Sequence, residues 1–321
     1  MDVTVVIISY NVEELLNKCI TSIKRETNCS YEIIVVDNNS KDNSIIMVET
    51  HHPDVILIKN KDNVGFARAN NQAFKKAKGR YFLMLNPDTI VLDIAIDKLV
   101  KFMDGHLDTG ACGPKNLNPD MTLQHNCHHF PTLYTRLVFH LQLTRFFPRN
   151  KLFGREHMTY WDYNEIKEVD WITGCSLLIR KKTLDQVGLL DENFFMYTEE
   201  TDLCFRLKKA KWKTVFYPDA AIIHYGGQSA LSQNKEKVFA KSIITYLFTT
   251  RYYFFKKHYG YTNYIILKLI DFLYYSLIFI KNIFRSNKII RKAKLEESTT
   301  VLSLIFSRQA NKIDIRVLNV E

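Results

Sequence analysis

Tyr81-Phe82-Leu83-Met84-Leu85-Asn86-Pro87-Asp88-Thr89 is the stretch on which the fold turns. Its first five residues form a short apolar run of the kind that makes a buried strand, and the Pro-Asp step after Leu85 ends that strand in a turn. A carboxylate at the carboxyl end of a strand lies where open α/β sheets bind their ligands. Working back, Asn63 opens a helix with Phe66, Ala69, Ala73, Phe74 and Ala77 on one side, and Gly79 stops it. Residues 55–58 read as a strand, and Asp42 caps a short helix before it. Residues 32–36 form another strand, ending at Asp37-Asn38-Asn39-Ser40. Residues 3–9 are the first strand. Asn11 then caps a helix with Val12, Leu15, Leu16, Cys19, Ile20 and Ile23 on one face. This βαβαβαβ alternation predicts a parallel sheet with helices on both faces.

Beyond Asp88 the pattern loosens over residues 110–170. Residues 171–180 resume as a strand, 199–210 as a helix, and 214–217 and 221–224 as short strands. From Ser232 to about Phe284 the chain reads as helical.

The chain has 321 residues and a net charge of +10. Residues 1–234 are neutral, with 28 basic and 28 acidic side chains, and residues 235–321 carry 16 basic against 6 acidic. A neutral body with a basic tail is not the profile of a nucleic-acid-binding domain, which spreads basic charge over its docking face. The apolar run of residues 3–8 is too short for a secretory signal and lacks a basic flank, so a cytoplasmic setting is expected. Cys19, Cys29, Cys112, Cys127, Cys175 and Cys204 are scattered without a CxxC pair and read as buried apolar residues in a reducing compartment.

Residue types narrow the chemistry. Asp88 suits a hard divalent cation, which takes one or two protein carboxylates together with phosphate oxygens. His224 ends a strand beside Gly226 and Gly227, where backbone approaches a ligand closely. Asp37 at a strand end can accept from a ribose or base, although Asp-Asn-Asn-Ser is also ordinary turn chemistry. Glu199, Glu200 and Asp202 crowd three carboxylates into four positions. Helical neighbours do not share a face, so Glu200 is expected in the site and Asp202 on Arg206. His125, Cys127, His128 and His129 lack a second ligand pair at zinc spacing and read as surface loop. No GxGxxG follows the first strand, which counts against a dinucleotide-binding domain, and there is no P-loop.

These residues together resemble the family 2 glycosyltransferases of GT-A fold, above all the rhamnosyltransferase-type branch that builds bacterial cell-surface polysaccharides. The resemblance is carried by Val5-Val6-Ile7-Ile8-Ser9-Tyr10-Asn11, Val35-Val36-Asp37-Asn38-Asn39-Ser40, Asn63-Val64-Gly65-Phe66-Ala67-Arg68-Ala69-Asn70-Asn71 and Leu85-Asn86-Pro87-Asp88-Thr89. Farther on it is carried by Asp170-Trp171-Ile172-Thr173-Gly174-Cys175, residues 195–206 and His224-Tyr225-Gly226-Gly227-Gln228-Ser229. All lie in the family's order over about residues 1–230.

The resemblance implies a mainly parallel central sheet flanked by helices, to which the helical pattern after residue 231 adds a C-terminal extension. It implies a metal-dependent inverting transfer from a UDP- or dTDP-sugar, rhamnose among the candidates, to a saccharide or lipid-linked saccharide, with Mg²⁺ or Mn²⁺ as cofactor. Asp88 stands for the last acid of the family's DxD motif, with Asn86 in place of the first, and His224 matches its C-terminal metal-ligand histidine. Glu200 falls where many relatives carry a catalytic Asp. Ser9, Asn11, Asp37, Asn63, Gly65, Arg68, Asn86 and Asp88 fall on the donor side, and Asp170, Trp171, Gly174 and Glu199 on the acceptor side. A non-catalytic saccharide-binding subunit with a degenerate site is the alternative from another class. A sugar-1-phosphate nucleotidyltransferase is disfavoured because no basic Gly-rich loop follows the first strand.

The organisation expected is a catalytic domain over 1–230, a helical membrane-associating extension over 231–285 and a basic tail over 286–321. Residues 264–284 are mostly apolar, but Lys268, Asp271 and Lys281 interrupt them. A charge near a span's centre costs roughly 2.5–3.5 kcal/mol on insertion scales. Basic residues flank the segment on both sides. In-plane or partly inserted attachment to the cytoplasmic face of an anionic membrane is therefore expected, with an ordinary core helix as the alternative.

Overall fold

Val3–Ser9 (β1) is buried at every position because both faces of the strand are covered. In this computed structural model, which describes residues 1–226 and 236–307 and the side chains of 1–226 and 241–307, Val3, Val5 and Ile7 share one core with Leu16, Cys19, Ile20 and Ile23 of the helix Glu13–Glu26 (α1). Val6 and Ile8 point to the other core, with Ala67, Ala69 and Ala73 of Phe66–Phe74 (α3). Period-two alternation between two helix layers explains why the strand reads as one unbroken apolar run.

Tyr31–Asp37 (β2), Ser44–His51 (α2), Ile56–Lys59 (β3) and Tyr81–Leu85 (β4) complete the first half. Strands β3, β2, β1 and β4 lie side by side in that order and all are parallel. The second half is mixed. Thr89–Leu92 (β5), Ala95–Gly105 (α4), Thr109–Leu117 (β6), Leu123–Gln124 (β7) and Cys127–His128 (β8) lead to the short helices Leu133–His140 (α5) and Leu143–Phe146 (α6). Lys167–Val169 (β9), Trp171–Ile172 (β10), Ser176–Arg180 (β11), Lys181–Val187 (α7), Glu199–Lys209 (α8) and Lys213–His224 (β12) follow. β11 runs antiparallel between β4 and β6, and β12 is parallel to β6 and antiparallel to β5.

Several local expectations are corrected. The single strand over residues 171–180 is broken at Thr173-Gly174-Cys175 into β10 and β11, which belong to different sheets. The two strands at 214–217 and 221–224 are one strand, with an irregularity in register between Tyr217 and Ala221. Asn11 does not cap α1. It takes φ 55°, its Oδ1 accepts from Lys41 N at 2.6 Å, and Val12 is the residue before the helix. Asp42 serves two helices, accepting from Ser44 N at the start of α2 at 3.0 Å, in line with the expected cap, and from Glu13 N of α1 at 3.0 Å. His128 and Cys127 are not surface loop: both are buried in β8, which pairs with β10.

Glu236–Ile283 (α9) is bent at Gly260, which takes φ 84°, and Lys288–Phe306 (α10) packs back along it. The expected boundary at 230/231 lies outside the described residues, as do Gly227, Gln228, Ser229 and residues 308–321. The first arm of α9 holds α8. Asp202, fully buried, accepts from Arg206 Nε at 2.8 Å, His258 Nε2 at 2.7 Å and Lys257 Nζ at 2.6 Å. Burial opposes ionisation of Asp202, yet these partners hold its pKa at about 2. The second arm carries Asp271, also fully buried, which pairs with Arg136 Nε at 2.6 Å and His140 Nε2 at 2.7 Å from α5 and accepts from Tyr252 Oη at 3.0 Å.

Candidate functional site

The carboxyl ends of β1, β2 and β4 lie together, since Ser9 is in register with Asp37 and Ile7 with Leu85. Ser9 is buried and its Oγ has no hydrogen-bond partner. Asp37 is buried and both its oxygens serve Ser40: Oδ1 accepts from the amide at 2.9 Å and Oδ2 from the hydroxyl at 2.5 Å. Ser40 Oγ in turn accepts from Asn11 N at 2.9 Å. Asp37 thus fixes the turn beside β1.

Asn63 Oδ1 accepts from Gly65 N at 3.0 Å, and Gly65 takes φ +84°. A Cβ at Gly65 would lie 2.5 Å from the Phe195 carbonyl oxygen, so only glycine lets the 63–66 turn meet the segment before α8. Phe66 N closes that contact by donating to the same oxygen at 2.7 Å. Arg68 stands apart from this group, half-exposed and 3.7 Å from Glu192.

Asn86 and Asp88 are set by the turn after β4. Asn86 N donates to Cys175 O at 2.9 Å, and Asn86 O accepts from Thr89 Oγ1 at 2.7 Å. Asp88 is 1% exposed, and its Oδ1 has no hydrogen bond. His224, at the end of β12, stands across from β5 and brings Nε2 to 3.4 Å from that oxygen and 3.5 Å from Asn86 Nδ2. Gln124 of β7 decides the tautomer of His224. Its Nε2 donates to Asn118 Oδ1 at 3.0 Å and to His224 O at 3.2 Å, so its Oε1 is the acceptor that faces His224 Nδ1 at 2.6 Å. His224 therefore carries its proton on Nδ1 and keeps a lone pair on Nε2 toward Asp88. A carboxylate oxygen without a partner beside an imidazole lone pair is a donor set that fits a divalent cation, completed by diphosphate oxygens and water. Gln124 was not foreseen from the sequence, where a lone Gln in an irregular region carries no signal.

The second acidic cluster is set by strained backbone. Tyr197 and Thr198 take φ 70° and 77°, a left-handed step in residues other than glycine, and α8 begins directly after it. Glu200 Oε1 accepts from Gly174 N at 3.4 Å, and Oε2 is sealed from solvent without a partner. Burial raises the pKa of Glu200. Glu199 is buried as well, and burial together with the neighbouring Glu200 charge raises its pKa well above the usual range. Cys175 lies between the two acidic groups: burial lifts its thiol pKa to about 11, and the charges of Asp88 and Glu200 push it the same way. The break between β10 and β11 is thus what joins Gly174 to Glu200 and Cys175 to Asn86.

Asp170 and Trp171 point to another neighbourhood. Asp170 accepts from His129 Nδ1 at 3.0 Å and Phe130 N at 3.0 Å and pairs with Lys208, and these bonds outweigh burial to hold its pKa at about 2. Trp171 Nε1 donates to His129 O at 3.1 Å while its ring stacks on His128 at 4.2 Å. Together they tie α8 to the β8–β10 layer. Among the described residues no group of three or more His, Cys, Asp or Glu side chains gathers as a metal cluster.

The chain has relatives among known proteins. It is 28% identical over 255 residues, 76% of its length and 82% of the relative's, to the N-acetylglucosaminyl-diphospho-decaprenol L-rhamnosyltransferase of Mycobacterium tuberculosis. It is 26% identical over 233 residues, 70% of its length and 83% of the relative's, to rhamnosyltransferase WbbL of Escherichia coli strain K12. Its fold is that of the mannosyltransferase PcManGT from Pyrobaculum calidifontis, solved in complex with GDP-Man and Mn²⁺, with a TM-score of 0.51 at 14% identity over 94% of this chain and 70% of that one. The family model for glycosyl transferase family 2 matches residues 4–165, half of the sequence. The chain belongs to glycosyl transferase family 2 and is a glycosyltransferase.

Proposed function

We propose that this enzyme is a metal-dependent inverting transferase that moves a sugar, rhamnose first among the candidates, from a UDP or dTDP donor to a lipid-linked saccharide. The observation that carries the reading is the pairing, across Cys175, of an Asp88–His224 donor set with the buried carboxylate of Glu200. The name of the mycobacterial relative, a rhamnosyltransferase for a diphospho-decaprenol-linked sugar, supports the choice of donor sugar and acceptor class.

Each role is argued from the surroundings. Burial raises both Glu199 and Glu200, Glu199 the more, and Glu200 is the one whose carboxylate Gly174 N orients, so Glu200 is assigned as the base. Gly174 N orients the Glu200 carboxylate, which takes the proton of the acceptor hydroxyl as that hydroxyl attacks the anomeric carbon. Asp88 and His224 would hold Mg²⁺ or Mn²⁺, which when bound neutralises charge on the departing nucleoside diphosphate. Ser9, Asn11, Asp37 and the 63–65 turn line up as the donor side. Gly174 and Glu199 are assigned to the acceptor side, with Asp170 and Trp171 supporting it through α8 and β10.

The membrane reading concerns α9. By length and composition, residues 241–283 are long and apolar enough to cross a bilayer. The helix has two unlike faces: Tyr264, Leu267, Asp271 and Tyr275 are buried, whereas Leu269, Leu273, Leu277 and Ile280 are exposed at helical spacing. A face committed to protein and a face of bare aliphatics suit a helix lying in the plane of the cytoplasmic leaflet. A panel of nucleotide sugars, screened for nucleotide release with Mn²⁺, with Mg²⁺ and with excess chelator, tests the catalytic reading. Release that depends on one donor and stops with chelation is expected, and full activity in chelator overturns the metal assignment.

A further inference from the structure

We propose that the segment 134–152, formed by α5, α6 and the turn after them, is a second lipid-contacting element that seats the enzyme on an anionic bilayer. The proposal rests on the membrane reading of α9 and extends it to a part of the chain whose sequence gave no such signal.

Three observations meet here. Tyr134, Leu137, Leu141, Phe146, Phe147 and Leu152 are all exposed, between 44% and 68%, although they fall within 19 residues. Large apolar side chains normally cluster inside, so this density on one short hairpin is a surface that expects a cover. Next, residues 121–155 contain no Asp or Glu, while Arg145, Arg149, Lys151 and Arg155 are exposed among the apolar groups. Exposed rings and aliphatics interleaved with basic side chains match the interface of an anionic leaflet. The same charge pattern argues against a second copy of this chain, since a two-fold contact would set basic residues against themselves.

The third observation is the tie to α9. Arg136 and His140 project from the inner side of α5 onto Asp271, and the His140 ring stacks on Tyr274 at 3.9 Å. The hairpin is therefore fixed to the same helical arm that presents the exposed aliphatic stripe. Two apolar elements joined by a buried ion pair make a rigid platform with two anchors.

The full chain is tested by flotation with vesicles of phosphatidylcholine alone or mixed with phosphatidylglycerol. The hairpin variant Leu141→Ser/Phe146→Ser/Phe147→Ser is compared with the α9 variant Leu273→Ser/Leu277→Ser. Circular dichroism and donor hydrolysis confirm that each is folded. Wild type is expected to bind the anionic vesicles, and the hairpin variant to lose at least tenfold in affinity. Changing Arg145, Arg149 and Lys151 to Gln is expected to cost about fivefold per residue, the equivalent of roughly 1 kcal/mol each. With Phe147→Trp, brominated lipid is expected to quench added fluorescence. If the α9 variant loses binding while the hairpin variant keeps it and Phe147→Trp is not quenched, the hairpin assignment is wrong and the α9 reading stands. Failure of wild type to bind any vesicle overturns both. A lipid-free dimer that the hairpin variant converts to monomer replaces the bilayer by a second copy and also overturns the proposal.

Discussion

His224 Nδ1 lies 2.6 Å from Gln124 Oε1, and this bond leaves Nε2 of the same ring facing Asp88. A partner of this kind sets both the tautomer and the aim of a metal-binding histidine. Gln124→Ala is expected to raise the metal concentration for half-maximal activity by about 10–100-fold, the usual cost of losing such a partner. Saturating metal should restore most of the turnover. Gln124→Glu keeps an acceptor oxygen and should lose far less. Metal titrations of the transfer rate check both, and an unchanged titration for Gln124→Ala would show that the bond has no part in cation binding.

Glu200→Gln keeps the size of the side chain and removes its ability to take a proton. The expected loss in kcat is about 10²–10⁴-fold, the range for removal of a general base, with donor affinity nearly unchanged. Since burial raises the pKa of Glu200, the acid limb of the wild-type pH–rate profile should lie above the ordinary value of 4.5. Activity then falls as pH drops through the raised value. A rate profile flat through that range, or near-normal transfer by the Gln variant, would move the base to another residue.

Glu199 makes a prediction about stability. Its folded-state pKa is raised well above 4.5, chiefly by burial, so the folded protein binds this proton more tightly than the unfolded chain. Its stabilising contribution is fully present below about pH 4.5 and is lost as pH rises through the folded value. Glu199→Gln cannot ionise. Its advantage over wild type in urea unfolding should therefore grow as pH is raised across that window. A difference that stays constant with pH would show that Glu199 titrates normally.

The sequence made the first half of the sheet legible because each element there agrees with its own pattern. Val3–Ser9 is apolar throughout since it is covered on both faces, and α1 and α3 repeat their apolar residues at helical spacing. Asp88, Glu200 and His224 stood out because each sits at the end of a periodic segment. What stayed hidden depends on contacts between distant residues. Gln124 meets His224 across 100 positions, and Asp202 meets Lys257 and His258 across more than 50. Asn11 has the right chemistry for a cap, but the backbone there turns left-handed, and the second contact of Asp42, to Glu13 of the neighbouring helix, has no signal in the sequence. Asp170 and Trp171 are visible as a motif, while their bonds to His129, about 40 positions away, are not.

Asp271 is the residue whose reading changes most. In sequence it is a charge inside an apolar segment, an obstacle to crossing a bilayer. In the fold it is 0% exposed and accepts from Arg136, His140 and Tyr252. Burial raises the pKa of such a carboxyl, yet hydrogen bonding from His140 and the charge of Arg136 lower it below 3.8. Its stability contribution is thus present above pH 3.8 and fades as pH falls through the depressed value. Removing it leaves Arg136 buried without a counter-charge, and breaking a buried pair in this way costs about 3–5 kcal/mol. Asp271→Ala should therefore lose about that much in urea unfolding at neutral pH. Replacing both partners, Asp271→Leu with Arg136→Met, should recover most of the loss, because the penalty comes from the stranded charge rather than from the missing attraction. If α9 crossed a bilayer with Asp271 in lipid, the sign would reverse: Asp271→Ala would strengthen membrane insertion, and the protein would resist carbonate extraction more than wild type. Unfolding curves for the single and double variants, together with carbonate extraction of the single variant, distinguish the two outcomes.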